Sequence, residues 1–381
     1  MNTAKIYRTQ VDIEEGVIDF GIGQPGLDIL PREILENAAA HRLKTNDATF
    51  LNYGYNAGDG YFLIELARFL EPHYQKPVDP LELFVTAGSS QGLDLVCTQF
   101  TQPGDVVIVE EPTYFLAHQI FKDHGLITVG VEMEQDGIDL QDLEIKIKRC
   151  RPKMVYVIPA FQNPTGYSLS MEKASKLAEL SKKYDFIVVA DEVYQLLNFS
   201  MADQPPPLAN FINDGNILSL GTFSKILAPG LRLGWIQTNK KYRSKLQESG
   251  YVISGGSVNH FTTAIIRSVL ETGQQESFLN QLKTIYSSRI SVMHDALQEL
   301  IPQAKWQRPD GGFFFWLDMG EGFDATTANE QAEKQKIGFQ PGSVFTTDGS
   351  LNHFIRLSFA YYGEQDIRTG IEKLAAVLNS A

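Results

Sequence analysis

The sequence predicts an α/β protein, and three observations carry that prediction. Short apolar runs of strand length recur: Leu83–Ala87, Val106–Val109, Met154–Pro159, Phe186–Ala190 and Ile217–Leu220. Longer stretches of helical periodicity, over 61–76 and 171–184 for example, stand between them. That alternation builds a sheet with helices packed on its faces. The third observation is size. A chain of 381 residues, 43% of them apolar, has enough material for two domains and a large core.

Composition narrows the partners. The net charge of −13 speaks against nucleic acid and anionic membranes, which require basic surface. Two cysteines, Cys97 and Cys150, supply neither a disulfide framework nor a cysteine metal site, which fits a reducing, cytoplasmic setting. Residues 1–12 lack the apolar core of a secretory leader, and no apolar run approaches a membrane span.

Along the chain, Gly21 and Gly23 first permit close backbone approach. Pro31 opens a helix over 31–45 with Ile34, Leu35, Ala38 and Ala39 on one stripe. A turn-rich loop, Asn52–Gly58, carries Tyr53 and Tyr55. The strand Leu83–Ala87 runs into Gly88-Ser89-Ser90-Gln91-Gly92, and a helix is expected from Leu93 to Phe100. A small-residue turn that opens a helix presents N–H groups and a positive dipole end, which suits a phosphate. Gly88-x-Ser90-x-Gly92 equally fits the nucleophile elbow of a hydrolase, with Asp310 and His353 as the acid and base it would need.

Tyr114 follows the strand Val106–Val109, and residues 131–150 read as charged and solvated with a turn at Gly137. Asn163-Pro164-Thr165-Gly166 is a turn after the strand Met154–Pro159. The strand Phe186–Ala190 leads straight into Asp191 and then Tyr194. An acid at the carboxyl end of a buried strand sits where α/β sheets place ligands.

Past the strand Ile217–Leu220 come Thr222, Ser224 and Lys225, then a strand-like run, Leu231–Trp235, that contains Arg232. A lysine just beyond a buried strand is poorly hydrated, which lowers its pKa and makes it a nucleophile toward aldehydes. A lone loop lysine is ordinarily a surface charge. Hydroxyls before this one and an arginine after it set it apart, because together they could hold a phosphate. Residues 251–270 read as a glycine-rich loop entering a helix, and 272–301 as a long helix. Asp310–Leu317 is an aromatic strand entered through glycines, and Ile355–Phe359 is a last strand around Arg356.

The order and spacing of these motifs, from about residue 20 to 360, resemble the class I and II aminotransferases, fold-type I enzymes that use pyridoxal 5′-phosphate. The resemblance implies a large domain with a mainly parallel sheet (45–285) and a smaller α+β domain (1–44 and 286–381). It implies that Lys225 is the Schiff-base lysine and that Asp191 pairs with the pyridine nitrogen. Asn163 and Tyr194 would bond the phenolic oxygen, and Tyr114 would stack on the ring. Gly88, Ser89, Ser90, Thr222, Ser224 and Arg232 would hold the phosphate; the family usually has serine where Thr222 stands. Tyr53 would reach into a partner subunit's phosphate site, implying a homodimer. Gly23, Asn163 and Arg356 would receive the substrate, Arg356 taking the α-carboxylate.

The implied reaction is transamination between an amino acid and a 2-oxo acid. The resemblance leans toward the 2-aminoadipate and aromatic group. Three rivals stand beside it: a pyridoxal-dependent C–S β-lyase on the same site, a serine hydrolase using Ser90, and a cofactor-sensing regulator.

Overall fold

The computed structural model describes residues 9–200 and 204–378; residues 1–8 of the leader reading lie outside that range. Its centre is an eight-stranded sheet in the order Leu83–Thr86, Gly234–Thr238, Ile217–Thr222, Ile187–Asp191, Met154–Val157, Val106–Glu111, Ile127–Glu134, Gly137–Ile138. The five strands from Ile217–Thr222 to Ile127–Glu134 run parallel. Gly234–Thr238 runs against them on one side, Leu83–Thr86 beyond it returns to their direction, and antiparallel Gly137–Ile138 closes the other edge.

Strands covered on both faces explain the apolar runs. Successive side chains point to opposite faces, so one strand feeds two cores. Val107, Val109, Tyr156, Val189 and Leu218 enter one cluster. Ile108, Val155, Val157, Val188 and Ile217 enter the other. Each such side chain contributes about 1.5–3 kcal/mol on burial.

Ile18–Asp19 pairs in parallel with Ile337–Gly338, tying the N-terminal segment to the C-terminal quarter. Phe314–Asp318, Phe354–Ser358 and Gln340–Pro341 form an antiparallel three-stranded sheet. The helix Gln274–Leu300 connects this region to the central sheet.

Several boundaries differ from expectation. The helix expected from Leu93 begins at Ser89, because Gly88, at φ 86°, serves as its N-cap. Leu231 and Arg232 lie outside the strand, which spans Gly234–Thr238. Pro229–Leu231 forms a single tight turn that leaves Arg232 in the left-handed region at φ 46°. Residues 131–150 are not simply solvated. They hold the second half of the strand Ile127–Glu134 and the helix Leu140–Cys150, which is capped by Asp139 and buries Leu143 and Ile147. Residues 250–255 are a short helix rather than loop. Helices at Phe115–Asp123, Ala325–Lys334 and Glu364–Leu378 complete the fold.

The strand order places a topological switch between Val106–Glu111 and Met154–Val157, since the chain leaves these neighbours toward opposite edges. Ligands of open α/β sheets lie at such a point, beyond the carboxyl ends of the strands. Tyr114, Asn163, Asp191 and Lys225 all follow or finish parallel strands at that end.

Candidate active site

Lys225 stands on the loop after Ile217–Thr222. Its Nζ donates to the Gly23 carbonyl at 2.8 Å and lies 5.4 Å from the centre of the Phe313 ring. Burial is the main reason its pKa is pushed down to about 8; the charges of Arg356 and Arg232 act in the same direction, and Asp191 opposes them. An amine with that pKa exists partly as the free base at neutral pH.

Asp191 ends its strand with 7% of its surface exposed. The hydroxyl of Tyr156 donates to its Oδ2 at 2.7 Å, while its Oδ1 is buried without a partner. Burial pushes the carboxyl up to about 6 against the opposing effects of Tyr156 and Lys225. A buried acceptor with no donor costs about 1–3 kcal/mol, so an open Oδ1 calls for a ligand donor. Tyr194 lies buried three residues on, its ring 5.3 Å from Phe313 and 5.9 Å from Phe314.

Arg356, which pairs with Gln340 and Trp316 across its sheet, is not an exposed strand charge: it is 2% exposed. It donates from Nη1 to Asn163 Oδ1 at 2.8 Å and from Nη2 to the Gly21 carbonyl at 2.6 Å. Its guanidinium sits 4.1 Å from the Phe314 ring centre and 4.9 Å from that of Phe345. Its Nε remains buried and unpaired, and burial lowers its pKa to about 10. A Cβ on Gly23 would come within 3.0 Å of Phe314 and 3.9 Å of Arg356 Nη2, so glycine there keeps the approach to Arg356 open.

The third group is a cradle. A Cβ on Gly88 would stand 2.8 Å from Arg232 Nη2, which donates to the Ala87 carbonyl at 3.1 Å. The helix Ser89–Phe100 starts there with Ser89 and Ser90 in its first turn. Thr222 Oγ1 lies 2.9 Å from Ser224 Oγ and accepts from the Ser224 amide at 3.1 Å. Asn259 holds Arg232 by donating its Nδ2 to the Arg232 carbonyl. A helix N-terminus, an arginine and the hydroxyls of Ser89, Ser90, Thr222 and Ser224 are the donors a phosphate monoester needs.

Tyr114 is partly buried at the start of Phe115–Asp123, and burial pushes its phenol up to about 12. Tyr53 stands apart. It is 84% exposed and lines a cavity of about 550 Å³ with Tyr55, Tyr61, Arg42 and His260, away from Lys225. Ser90 is exposed, and among the described residues no hydrogen bond joins it to Asp310 or His353.

A family model, aminotransferase class I and II, matches residues 15–374. The chain belongs to the class I and II aminotransferases. It is similar to an aromatic-amino-acid aminotransferase of Thermococcus litoralis, 33% identical over 368 residues that cover 95% of this chain and 88% of that one. A 2-aminoadipate transaminase of Thermus thermophilus is 30% identical, covering 95% and 90%. The solved kynurenine aminotransferase of Pyrococcus horikoshii, in complex with PMP, superimposes with a TM-score of 0.88 at 30% identity, covering 96% and 91%. The enzyme is therefore a pyridoxal 5′-phosphate-dependent aminotransferase, and neither the β-lyase nor the hydrolase expectation is favoured. Among the described residues no helix is long and apolar enough to cross a membrane.

The residues present fit that cofactor. An open buried carboxylate oxygen suits a pyridinium N–H, a lysine of lowered pKa suits an aldehyde, and the cradle suits a phosphate. Sequence reasoning missed Tyr156, Phe345 and the buried pair Glu110–Gln162, in which the Gln162 amide donates to Glu110 at 3.1 Å. Tyr156 had a signal: a phenol inside a valine-rich buried strand requires a partner for its hydroxyl.

Proposed function

We propose that this aminotransferase acts through Lys225 on amino acids with an aromatic or long side chain, using a 2-oxo acid as acceptor. The observation that carries the reading is that Lys225 Nζ and Arg356 meet at the Gly21–Gly23 turn, each donating a hydrogen bond to one of its carbonyls. A substrate anchored by its carboxylate at Arg356 would present its α-carbon toward Lys225.

When bound, pyridoxal 5′-phosphate supplies an electron sink for the pair left at the α-carbon as its proton departs. Lys225 would hold the cofactor at its aldehyde carbon, and Asp191 Oδ1 would accept from the ring nitrogen. Asn163 already gives its Oδ1 to Arg356, which leaves its amide N–H groups to donate to the phenolic oxygen beside Tyr194. Tyr114 would cover the ring face, while Gly88, Ser89, Ser90, Thr222, Ser224 and Arg232 would hold the phosphate. Once free, Lys225 Nζ moves the substrate's α-proton; a pKa of about 8 lies close to working pH, where a base and its acid are both available.

Aromatic rings around Arg356 support the substrate class. Phe345 is 5.4 Å from Phe115 and 5.7 Å from Trp316, ring centre to ring centre. Phe115, the partly exposed member of the group, offers a ring to a large side chain. The relatives named for aromatic amino acids and 2-aminoadipate point the same way.

The enzyme is read as a cytoplasmic homodimer in which Tyr53 completes the partner's phosphate site. Its exposed ring supports this, as do exposed Tyr55, Tyr61, Tyr251 and Phe261. The division into a large domain (45–285) and a small one (1–44 and 286–381) is supported by the separate sheets, with the helix Gln274–Leu300 crossing the boundary.

A panel of amino donors with 2-oxoglutarate as acceptor tests the reading. Aromatic and long-chain donors are expected to give the highest kcat/KM. A preference for aspartate or alanine would refute the substrate class, and no transamination with any donor would refute the function.

A further inference from the structure

We propose that Tyr156 is a positioning residue for Asp191: its buried hydroxyl holds one carboxylate oxygen, so that the other is the single open acceptor turned toward the cofactor's ring nitrogen. The proposal rests on the reading of Asp191 given above.

The geometry follows from register. Met154–Val157 and Ile187–Asp191 are neighbouring parallel strands in which Tyr156 sits opposite Val189. Asp191 is two residues beyond Val189 and therefore on the same face. A short side chain at 156 would leave a gap to that diagonal position; the length of a tyrosine closes it, giving the 2.7 Å bond to Oδ2. Phe121 packs edge-on against the Tyr156 ring at 5.5 Å, and the ring has no exposed surface, so the hydroxyl has one place to be. Asp191 Oδ1 is left buried and unpaired.

The consequence is chemical. One proton lies between a carboxylate and a pyridine nitrogen, and it resides on the stronger base. Donation from Tyr156 stabilises the carboxylate and keeps its pKa down, against the upward push of burial. The other charged or titratable groups near Asp191 are Lys225, Glu110, Tyr114, Glu192 and Tyr194. Only Lys225 among them lowers the Asp191 pKa. Without the Tyr156 hydroxyl the carboxylate becomes a stronger base, and the proton is drawn from the ring nitrogen toward Oδ1.

The test uses holoenzyme reconstituted with pyridoxal 5′-phosphate carrying ¹⁵N in the ring, read by NMR at neutral pH in wild type, Tyr156→Phe and Asp191→Asn. Wild type is expected at the pyridinium shift and Asp191→Asn at the neutral-pyridine shift, with Tyr156→Phe displaced toward the latter. Loss of a hydrogen bond to a charged group predicts a kcat roughly ten- to hundredfold lower in Tyr156→Phe, with donor KM little changed. A wild-type shift in Tyr156→Phe while Asp191→Asn loses it would overturn the proposal. A wild-type shift in both would overturn the reading of Asp191 itself. If Tyr156→Phe fails to fold, 4-aminophenylalanine at position 156 keeps the ring and its reach with a weaker donor. The ring-nitrogen shift at neutral pH should then be displaced toward neutral pyridine, and a wild-type shift would refute the idea.

Discussion

Replacing Arg356 with lysine keeps the charge and removes the fork. In the native chain Nη1 and Nη2 are committed to Asn163 and the Gly21 carbonyl, and the plane is packed between Phe314 and Phe345. The unpaired Nε and the outward edges of the guanidinium are what remain to grip a carboxylate. A lysine ammonium cannot serve Asn163, Gly21 and a substrate from one point. Truncating one partner of a buried, hydrogen-bonded charge pair costs about 2–5 kcal/mol. Burial at 2% exposure argues for the upper part of that range, and the retained charge for the lower. We expect kcat/KM to fall roughly hundred- to thousandfold, about 3–4 kcal/mol, for amino acids and 2-oxo acids alike. The assay compares these with primary amines that match the donors but lack the carboxylate, whose slow half-reaction should change little. Unchanged amino-acid kinetics, or an equal loss with amines, would refute the carboxylate role.

Gly88→Ala puts a Cβ 2.8 Å from Arg232 at φ 86°, so cofactor affinity should drop, by about tenfold for each 1.4 kcal/mol of strain passed to the cradle. Cofactor titration by fluorescence reads this, and an unchanged Kd would count against the cradle. In the cofactor-free protein a lowered Lys225 pKa means that the free amine appears above about pH 8, not above 10.5. Its rate of reaction with a simple aldehyde should rise through that point, and a midpoint near 10.5 would contradict the burial argument. Mixed dimers of Tyr53→Ala and Lys225→Ala chains should contain one wholly intact site if Tyr53 acts across the interface. Mixing the two impaired homodimers should then raise activity, and no gain would place Tyr53 outside the partner's site.

Much of this was legible in the sequence because local signals agreed with the global pattern. Asp191 could be placed from the apolar run before it, and Lys225 from the strand and hydroxyls that precede it. Arg356 was harder. Alternation located its strand, but its burial depends on Asn163, Gly21, Phe314 and Phe345, which no local window contains. Arg232 read as part of a strand because its neighbours are apolar. Its backbone is left-handed because the turn at Pro229–Leu231 must end before Gly234–Thr238 pairs with two strands. The helix Leu140–Cys150 was hidden by its charged face, although Asp139 and the spacing of Leu143 and Ile147 were its signals. No local window reveals the role of Tyr156, since its partner lies 35 residues on, in the neighbouring strand.

Every proposed step depends on Lys225 being the residue that carries the cofactor. Borohydride reduction of the holoenzyme, followed by digestion and mass spectrometry, is the decisive measurement. A phosphopyridoxyl group is expected on Lys225 and on no other lysine, with no fixation in Lys225→Ala, which should also lose multiple turnover. A label on a different lysine, or near-wild-type turnover in Lys225→Ala, would contradict it.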